Sequence, residues 1–486
     1  MLFNSWQFAV FFPIVFLLYF AVPHRFRWAL LLVASYYFYM SWNPELVTLI
    51  AFVTLVTYAA ALLLSKPDLP KRGRKAVLTA GVLLPLLLLF FFKYFNFFST
   101  EAVSLLQSLS IPVKSPALDL ILPIGISFYT FQALSYVIDV YRGTTQAEKH
   151  LGYYALFISF FPQLVAGPIE RSENLLPQFH EEHAFDAKMA AEGLMRMGLG
   201  FFKKLVIADL IAIRIDHIFE NVAGYRGFPL LLSTVLFAVQ IYCDFSGYSD
   251  IAVGCAETMG FRLMQNFKSP YLARSIREFW QRWHISLSSW FSDYVYIPLG
   301  GSRRGLYRHI RNLLITFAVS GLWHGANWTF IIWGLVHGVY SACGALFRKI
   351  RFPQRLRAFM DKPVPVVFRT LFTFALVCVA WVFFRANTLS DAMHIFRYAL
   401  EGLGDPIRYV VKDFSAMNFR IDGLIKPLIG VAVLFAIDFI QLKEDPIKRL
   451  NGKPAAVKFA VCLLLVLLTV MLANKGIPSE FIYFQF

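Results

Sequence analysis

Arg277-Glu-Phe-Trp-Gln-Arg-Trp-His284-Ile-Ser-Leu-Ser-Ser-Trp290 leads into a basic loop, Gly300-Gly-Ser-Arg303-Arg304-Gly-Leu-Tyr-Arg308-His309-Ile-Arg311-Asn312. An apolar run follows, broken at Gly321-Leu-Trp-His324-Gly-Ala-Asn327-Trp328. Two histidines flanked by tryptophans thus sit in sequence that otherwise reads as membrane protein, and ionisable residues in that setting point to function. With His284 at zero and 100° per residue, Arg277, Gln281, Ser288 and Ser292 fall within about 80° of it. Phe279, Trp283, Leu287, Trp290 and Tyr294 gather on a separate arc. The spacing predicts one amphipathic helix over 277–294, either interfacial or dipping in as a re-entrant element that lines a cavity. The run Leu313 to Trp333 is long enough to span, with His324 near its middle beside Gly321, Gly325 and Ala326. Small neighbours let another backbone or a thin substrate approach closely. A desolvated imidazole is kept neutral and able to accept a proton. A structural histidine bonded across helices is the alternative, and for His337 packing is the expected role.

Composition sets the class. The chain has 486 residues, 58% hydrophobic and 17% aromatic but only 16% charged, with a mean hydropathy of +0.58. A soluble chain carries more charge than this. The expected class is an all-α polytopic membrane protein, one integral-membrane domain over 1–486. The net charge of +16 lies in short loops between apolar runs, a pattern that sets orientation and argues against a nucleic-acid partner. Five cysteines, without metal spacing, read as small core residues. The first apolar run lacks a basic leader and a small-residue cleavage site, so it is expected to stay in the membrane.

Spans are expected at Ser5 to Pro23, Trp28 to Trp42 and Glu45 to Leu64. The basic loops at 24–27 and 66–75 then share one face, the cytoplasmic one, which puts both termini outside. Ala76 to Phe92 returns outward, and Asn96 to Ser110 is expected as a separate interfacial helix. Ala117 to Val140 crosses back, carrying Pro123-Ile-Gly-Ile-Ser127, where proline and glycine are expected to kink or open the helix. Phe161-Pro-Gln-Leu-Val-Ala-Gly-Pro168 breaks helix at membrane depth, which requires burial in protein or a cavity lining. Further spans are expected near 194–215, 229–242, 364–384, 423–441 and 455–472.

Outside the histidines, Asp244-Phe-Ser-Gly-Tyr-Ser-Asp250 suits either an aqueous vestibule or cation site, or capping and ion pairing. Lys203 and Lys204 either meet phosphates and headgroups or snorkel. Arg303, Arg304, Arg308 and Arg311 either set orientation or receive a polyphosphate donor. No phosphate-binding glycine loop, nucleophile elbow or metal-spaced cluster occurs. Spacing alone stops at a membrane enzyme or transporter with two functional histidines, the transporter being a proton-coupled carrier or flippase of a cell-envelope precursor.

At Leu122-Pro-Ile-Gly-Ile-Ser-Phe-Tyr129, Ala166-Gly-Pro168, Asp244–Asp250, Glu278–Ser288 and Gly321–Trp328 the chain resembles the membrane-bound O-acyltransferase family, and within it the alginate O-acetyltransferase branch. Gln281 departs from the family's usual arginine. The resemblance implies about a dozen transmembrane and re-entrant helices around a central tunnel in a bacterial inner membrane. It implies His324 as catalytic histidine, His284 as the second catalytic-region residue, and a substrate site that includes Arg282, Trp323, Asn327, Ser288, Arg303 and Arg304. It implies no bound cofactor or metal, and acetyl-coenzyme A or another acyl thioester as the donor. It further implies an exported partner with a serine-hydrolase-like (SGNH) fold that passes the acyl group to a polysaccharide. The tail Phe481-Ile-Tyr483-Phe-Gln-Phe486 resembles the extracytoplasmic tyrosine motif of surface-polymer acylation systems, which makes Tyr483 a candidate acyl relay; an aromatic interface anchor among membrane lipids is the alternative.

Overall fold

The computed structural model describes residues 1–113, 118, 122–350, 353–407, 409–410, 421–473 and 481–482. Every regular element among them is helical, and no strand occurs there. Among the described residues, six helices are long and apolar enough to cross a membrane: Pro44–Leu64, Lys71–Ser108, Phe228–Thr258, Trp328–Phe347, Pro363–Arg385 and Ala455–Leu472. The chain divides into two compact units, Met1–Met197 with Ile251–Met264, and Gly198–Asp250 with Gln265–Phe486.

In the first unit, Ser5 caps the opening helix Trp6–Ala21 by accepting the Phe8 amide at 3.2 Å, which relieves one of the free donors of a helix start. His24–Met40 and Val47–Leu64 follow. The expected break before Asn96 is absent. Lys71–Leu89 passes through a π-helical turn, Phe90–Tyr94, directly into Phe95–Ser108. A wider turn absorbs an extra residue without ending the hydrogen-bonded rod, so the separate interfacial helix becomes the end of a long one. Nor does Pro123-Ile-Gly125 kink a span: it precedes the helix Ile126–Arg142, with Gly125 at φ +79°. Only glycine accepts that angle cheaply. A Cβ there would also stand 2.9 Å from the Leu164 carbonyl oxygen.

The irregular stretch at 160–168 fits its sequence reading, and several of its polar groups are bonded. All its residues are buried. The Phe161 amide donates to Ser35 Oγ at 3.0 Å, while Gln132 Nε2 and Gln163 Nε2 both donate to the Phe157 carbonyl, at 2.6 and 3.1 Å. Side chains thus replace the ladder that a helix would have supplied, the condition for irregular backbone away from water. Glu170 follows, fully buried, accepting from Asn174 Nδ2 at 2.6 Å and from the Met264 amide at 2.5 Å. Desolvation nevertheless pushes its carboxyl up to about 7.

The second unit is organised around an antiparallel pair, Leu306–His324 and Trp328–Phe347. A Cβ added at Gly321 would stand 2.2 Å from the Phe330 carbonyl oxygen, and one at Gly334 would stand 2.1 Å from that of Phe317. Backbone meets backbone there, which only residues without a side chain permit. Ala455–Leu472 is the opposite case: no residue of it is buried inside the protein. A helix that is apolar all round without internal burial is a lipid-facing span.

Candidate active site

The histidines occupy two corners of the second unit, and neither corner has the predicted form. Over 277–294 the structure shows Ile276–Arg282 and Ile285–Phe291 as separate helices, followed by a π turn at Ser292–Tyr296. Trp283 is extended, and His284 takes a left-handed conformation, φ 43°, ψ 55°. The cause lies in the 266–268 segment. The Lys268 amide donates to the Arg282 carbonyl at 2.9 Å, and the Ile285 amide donates to the Asn266 carbonyl at 2.9 Å. Asn266 Oδ1 accepts both the Ser286 amide, at 3.3 Å, and Ser286 Oγ, at 2.7 Å. Its Nδ2 is anchored on Ser249 Oγ at 3.1 Å. These bonds outcompete the helix, and they hold a non-glycine residue where it costs about 1–2 kcal/mol. Strain of that kind persists where the surroundings over-determine it, commonly at functional sites.

His324 is likewise not mid-span. Leu306–His324 ends on it, Gly325 is extended, and the next helix starts after Asn327. Asn327 caps that helix by accepting the Thr329 amide at 3.0 Å, and its Nδ2 donates to the Asn387 carbonyl at 3.0 Å. Gly325 is required because a Cβ there would fall 2.2 Å from the Phe330 ring. The substrate-binding role expected of Asn327 thus falls on a side chain already engaged in shaping the corner.

The corners converge through tryptophan. His284 is 1% exposed and His324 is 5% exposed. The Trp323 ring lies edge-on to both, at 6.2 Å from His284 and 4.9 Å from His324. His284 also packs on Phe245 at 4.6 Å; His324 packs on Trp333 at 4.9 Å and Phe384 at 5.3 Å. His337 stands one ring further, 5.1 Å from Trp333, with its Nδ1 accepting Trp280 Nε1–H at 3.3 Å. Its expected packing role matches this nest.

A cavity of about 1870 Å³ adjoins this aromatic layer, larger than the roughly 300–1,000 Å³ of ordinary small-molecule sites. Trp280, Ser288 and Ser320 line it. Trp280 packs on Trp333 at 5.8 Å, and Trp333 touches His324; along this path two rings stand between the cavity and the imidazole. Arginines of the wall are Arg274, Arg277, Arg348 and Arg369, and the basic loop contributes Ser302 and His309. Arg303 and Arg304 are exposed and stand outside the lining. Arg282 turns to Glu278, donating from Nη2 to Oε1 at 2.6 Å. Ser288 Oγ donates to the Trp283 carbonyl at 3.1 Å. Tyr483 lies outside the described residues.

The acidic cluster and the lysine pair, read separately from the sequence, are partners. Lys203 Nζ meets Asp250 Oδ2 at 2.7 Å; Lys204 Nζ meets Asp244 Oδ1 at 2.6 Å and Asp209 Oδ1 at 3.0 Å. The π turn Lys203–Ala208 lets two consecutive side chains reach different carboxylates. The lysines do not snorkel, and among the described residues no group of metal-holding side chains is found. The missed signal was a Lys-Lys pair in an apolar helix with two aspartates in another: buried charges need partners.

Residues 148–385 match the model of the membrane-bound O-acyltransferase (MBOAT) family, and similarity to its members runs across nearly the whole chain. The protein belongs to that family, and it is a multi-pass membrane O-acyltransferase. The particular relatives are informative. It is 38% identical to the probable alginate O-acetylase AlgI of Pseudomonas putida over 98% of each chain. It is 42% identical to that of Pseudomonas aeruginosa over 82% of this chain and 74% of the relative. Identity to the peptidoglycan O-acetyltransferase of Helicobacter pylori is 32%, over 94% of this chain and 91% of the relative.

Proposed function

We propose that this enzyme takes an acetyl group from a cytoplasmic thioester, acetyl-coenzyme A, and passes it across the inner membrane for O-acetylation of an extracellular polysaccharide. An alginate-like polymer is the first choice, by similarity to the relatives' named activity, and peptidoglycan or another wall polymer the next. The observation that carries the reading is the convergence of His284 and His324 on Trp323, with the Trp280 and Trp333 rings between His324 and a large arginine-walled cavity. Guanidinium groups suit the phosphates of a coenzyme A donor. His324 is the general base. It takes the proton of an acceptor hydroxyl, whose oxygen attacks the thioester carbonyl; the C–S bond breaks, and the thiol leaves carrying the proton. His284 polarises the carbonyl, a role worth a few kcal/mol when aligned; Arg282, held by Glu278, contributes at most through that helix. Tyr483 supplies the first acceptor hydroxyl and an exported SGNH-type partner takes the acetyl group onward. Both termini are extracytoplasmic in this scheme.

The test is transfer from labelled acetyl-coenzyme A by purified protein, with mass spectrometry of the peptide containing Tyr483. His324→Ala is expected to lower turnover by about 10²–10⁴-fold, the usual worth of a general base. Full turnover in that variant ends the assignment of His324. Full turnover in Tyr483→Phe ends the relay alone.

A further inference from the structure

The buried charges around Lys204 take no part in the chemistry above, yet they are arranged around a visitor from far along the chain. Lys204, Asp209 and Asp244 have side chains 1%, 6% and 4% exposed. One oxygen of Asp244 binds the ammonium; the other, Oδ2, accepts the main-chain amide of Ile482 at 2.7 Å. The same ammonium lies over the Phe481 ring, 4.3 Å from its centroid, and Tyr248 meets that ring edge-on at 4.8 Å. Phe481 and Ile482 are 1% and 4% exposed.

Buried ion pairs add little net stability compared with apolar side chains of equal volume. What this one supplies is a specific receptor: an anion for one backbone N–H, and a cation for the face of one aromatic ring. We propose that Lys204, Asp244 and Tyr248 form a seat for the Phe481–Ile482 backbone, and that they are positioning residues for acyl transfer. The next residue of the same helix, Phe245, packs on His284 at 4.6 Å. Consecutive Cα atoms lie about 3.8 Å apart, so the seat and the wall of the histidine site belong to a single turn. A segment anchored at Ile482 therefore starts beside that site. The positioning half of this inference rests on the relay reading of Tyr483; the seat itself does not.

The experiment uses the full chain reconstituted in lipid nanodiscs. The paired change Lys204→Met with Asp244→Asn removes the receptor, and Asp209→Asn is made in the same chain so that the ammonium's other carboxylate is not stranded. Chymotryptic cleavage at Phe481 and beyond, read by mass spectrometry, is expected to quicken at least tenfold while other sites keep their rates. Turnover is expected to fall to that of a chain lacking 481–486, with KM for acetyl-coenzyme A unchanged, and deleting 481–486 from the paired variant should then do nothing more. Should the paired variant fail to fold, Ile482→Pro removes the donated N–H and must quicken chymotryptic cleavage after Tyr483 and Phe484 equally, the bond before proline itself being resistant. Undiminished protection in a folded variant overturns the seat. Release without loss of turnover overturns the positioning role. If deletion of 481–486 lowers turnover although Tyr483→Phe does not, the relay falls and the seat stands.

Discussion

The His284 corner and the His324 corner bring imidazoles to one tryptophan by opposite means. At His324 the work is steric: three glycines, Gly321, Gly325 and Gly334, remove side chains so that two helices and a turn close upon each other. At His284 the work is polar: Asn266 and the backbone beside it replace helix bonds and hold a left-handed residue in place. The difference teaches which errors each corner tolerates. Added volume should ruin the first, whereas lost hydrogen bonds should relax the second.

The largest expected effect is therefore at the glycine corner. Gly334→Ala puts a Cβ 2.1 Å from the Phe317 carbonyl oxygen, and overpacking of that severity is expected to cost about 3 kcal/mol. A melting curve in detergent that matches the parent would show that the helix pair slides apart freely. At the other corner, Asn266→Ala should cost about 1–3 kcal/mol, since the Ser286 amide and hydroxyl lose a buried acceptor. It should also lower turnover more than Gly334→Ala does per unit of stability lost, because it releases His284 directly. A narrower comparison separates strain from chemistry: asparagine tolerates the left-handed region and alanine does not. His284→Asn should thus be more stable than His284→Ala by about 1 kcal/mol, with both equally poor in acetyl transfer. Equal melting temperatures for the two would mean that the corner stores no strain.

The smallest effect tests the first unit, away from both corners. The Glu170 carboxyl is raised from 4.5 to about 7, so the folded chain binds a proton more tightly than the unfolded one. Stability from this group is complete below about 4.5 and is lost as pH rises through about 7. Glu170→Gln should flatten the dependence of melting temperature on pH across that window by a few degrees. A slope identical to the parent's would place the titration elsewhere.

Much of this was legible in the chain. The apolar runs gave membrane helices and Phe161–Pro168 gave buried irregular backbone, since each rests on composition within one short window; the Trp-His pairs marked the two corners that meet at Trp323. The break at Trp283-His284 was not legible: no glycine or proline marks it, the amphipathic period runs straight through, and the groups that cause it come from Asn266 and Lys268. His324 was misplaced for a different reason. Gly325-Ala-Asn327 reads equally as close packing within a helix and as a stop followed by an N-cap, and here the cap decided. The lysine–aspartate pairing joins residues about forty apart in sequence, a distance over which local pattern says nothing.

The three π turns, at Phe90–Tyr94, Lys203–Ala208 and Ser292–Tyr296, carry a consequence for how such a chain tolerates change in length. Each holds one residue beyond what a regular helix would use. Deleting a single residue at 203–208 would restore α-helical winding and leave the segments on either side facing as they do now, whereas the same deletion in a regular helix would turn one side by about 100°. Lys203 and Lys204 open that turn, so their salt bridges, and not the helices beyond, would bear the change.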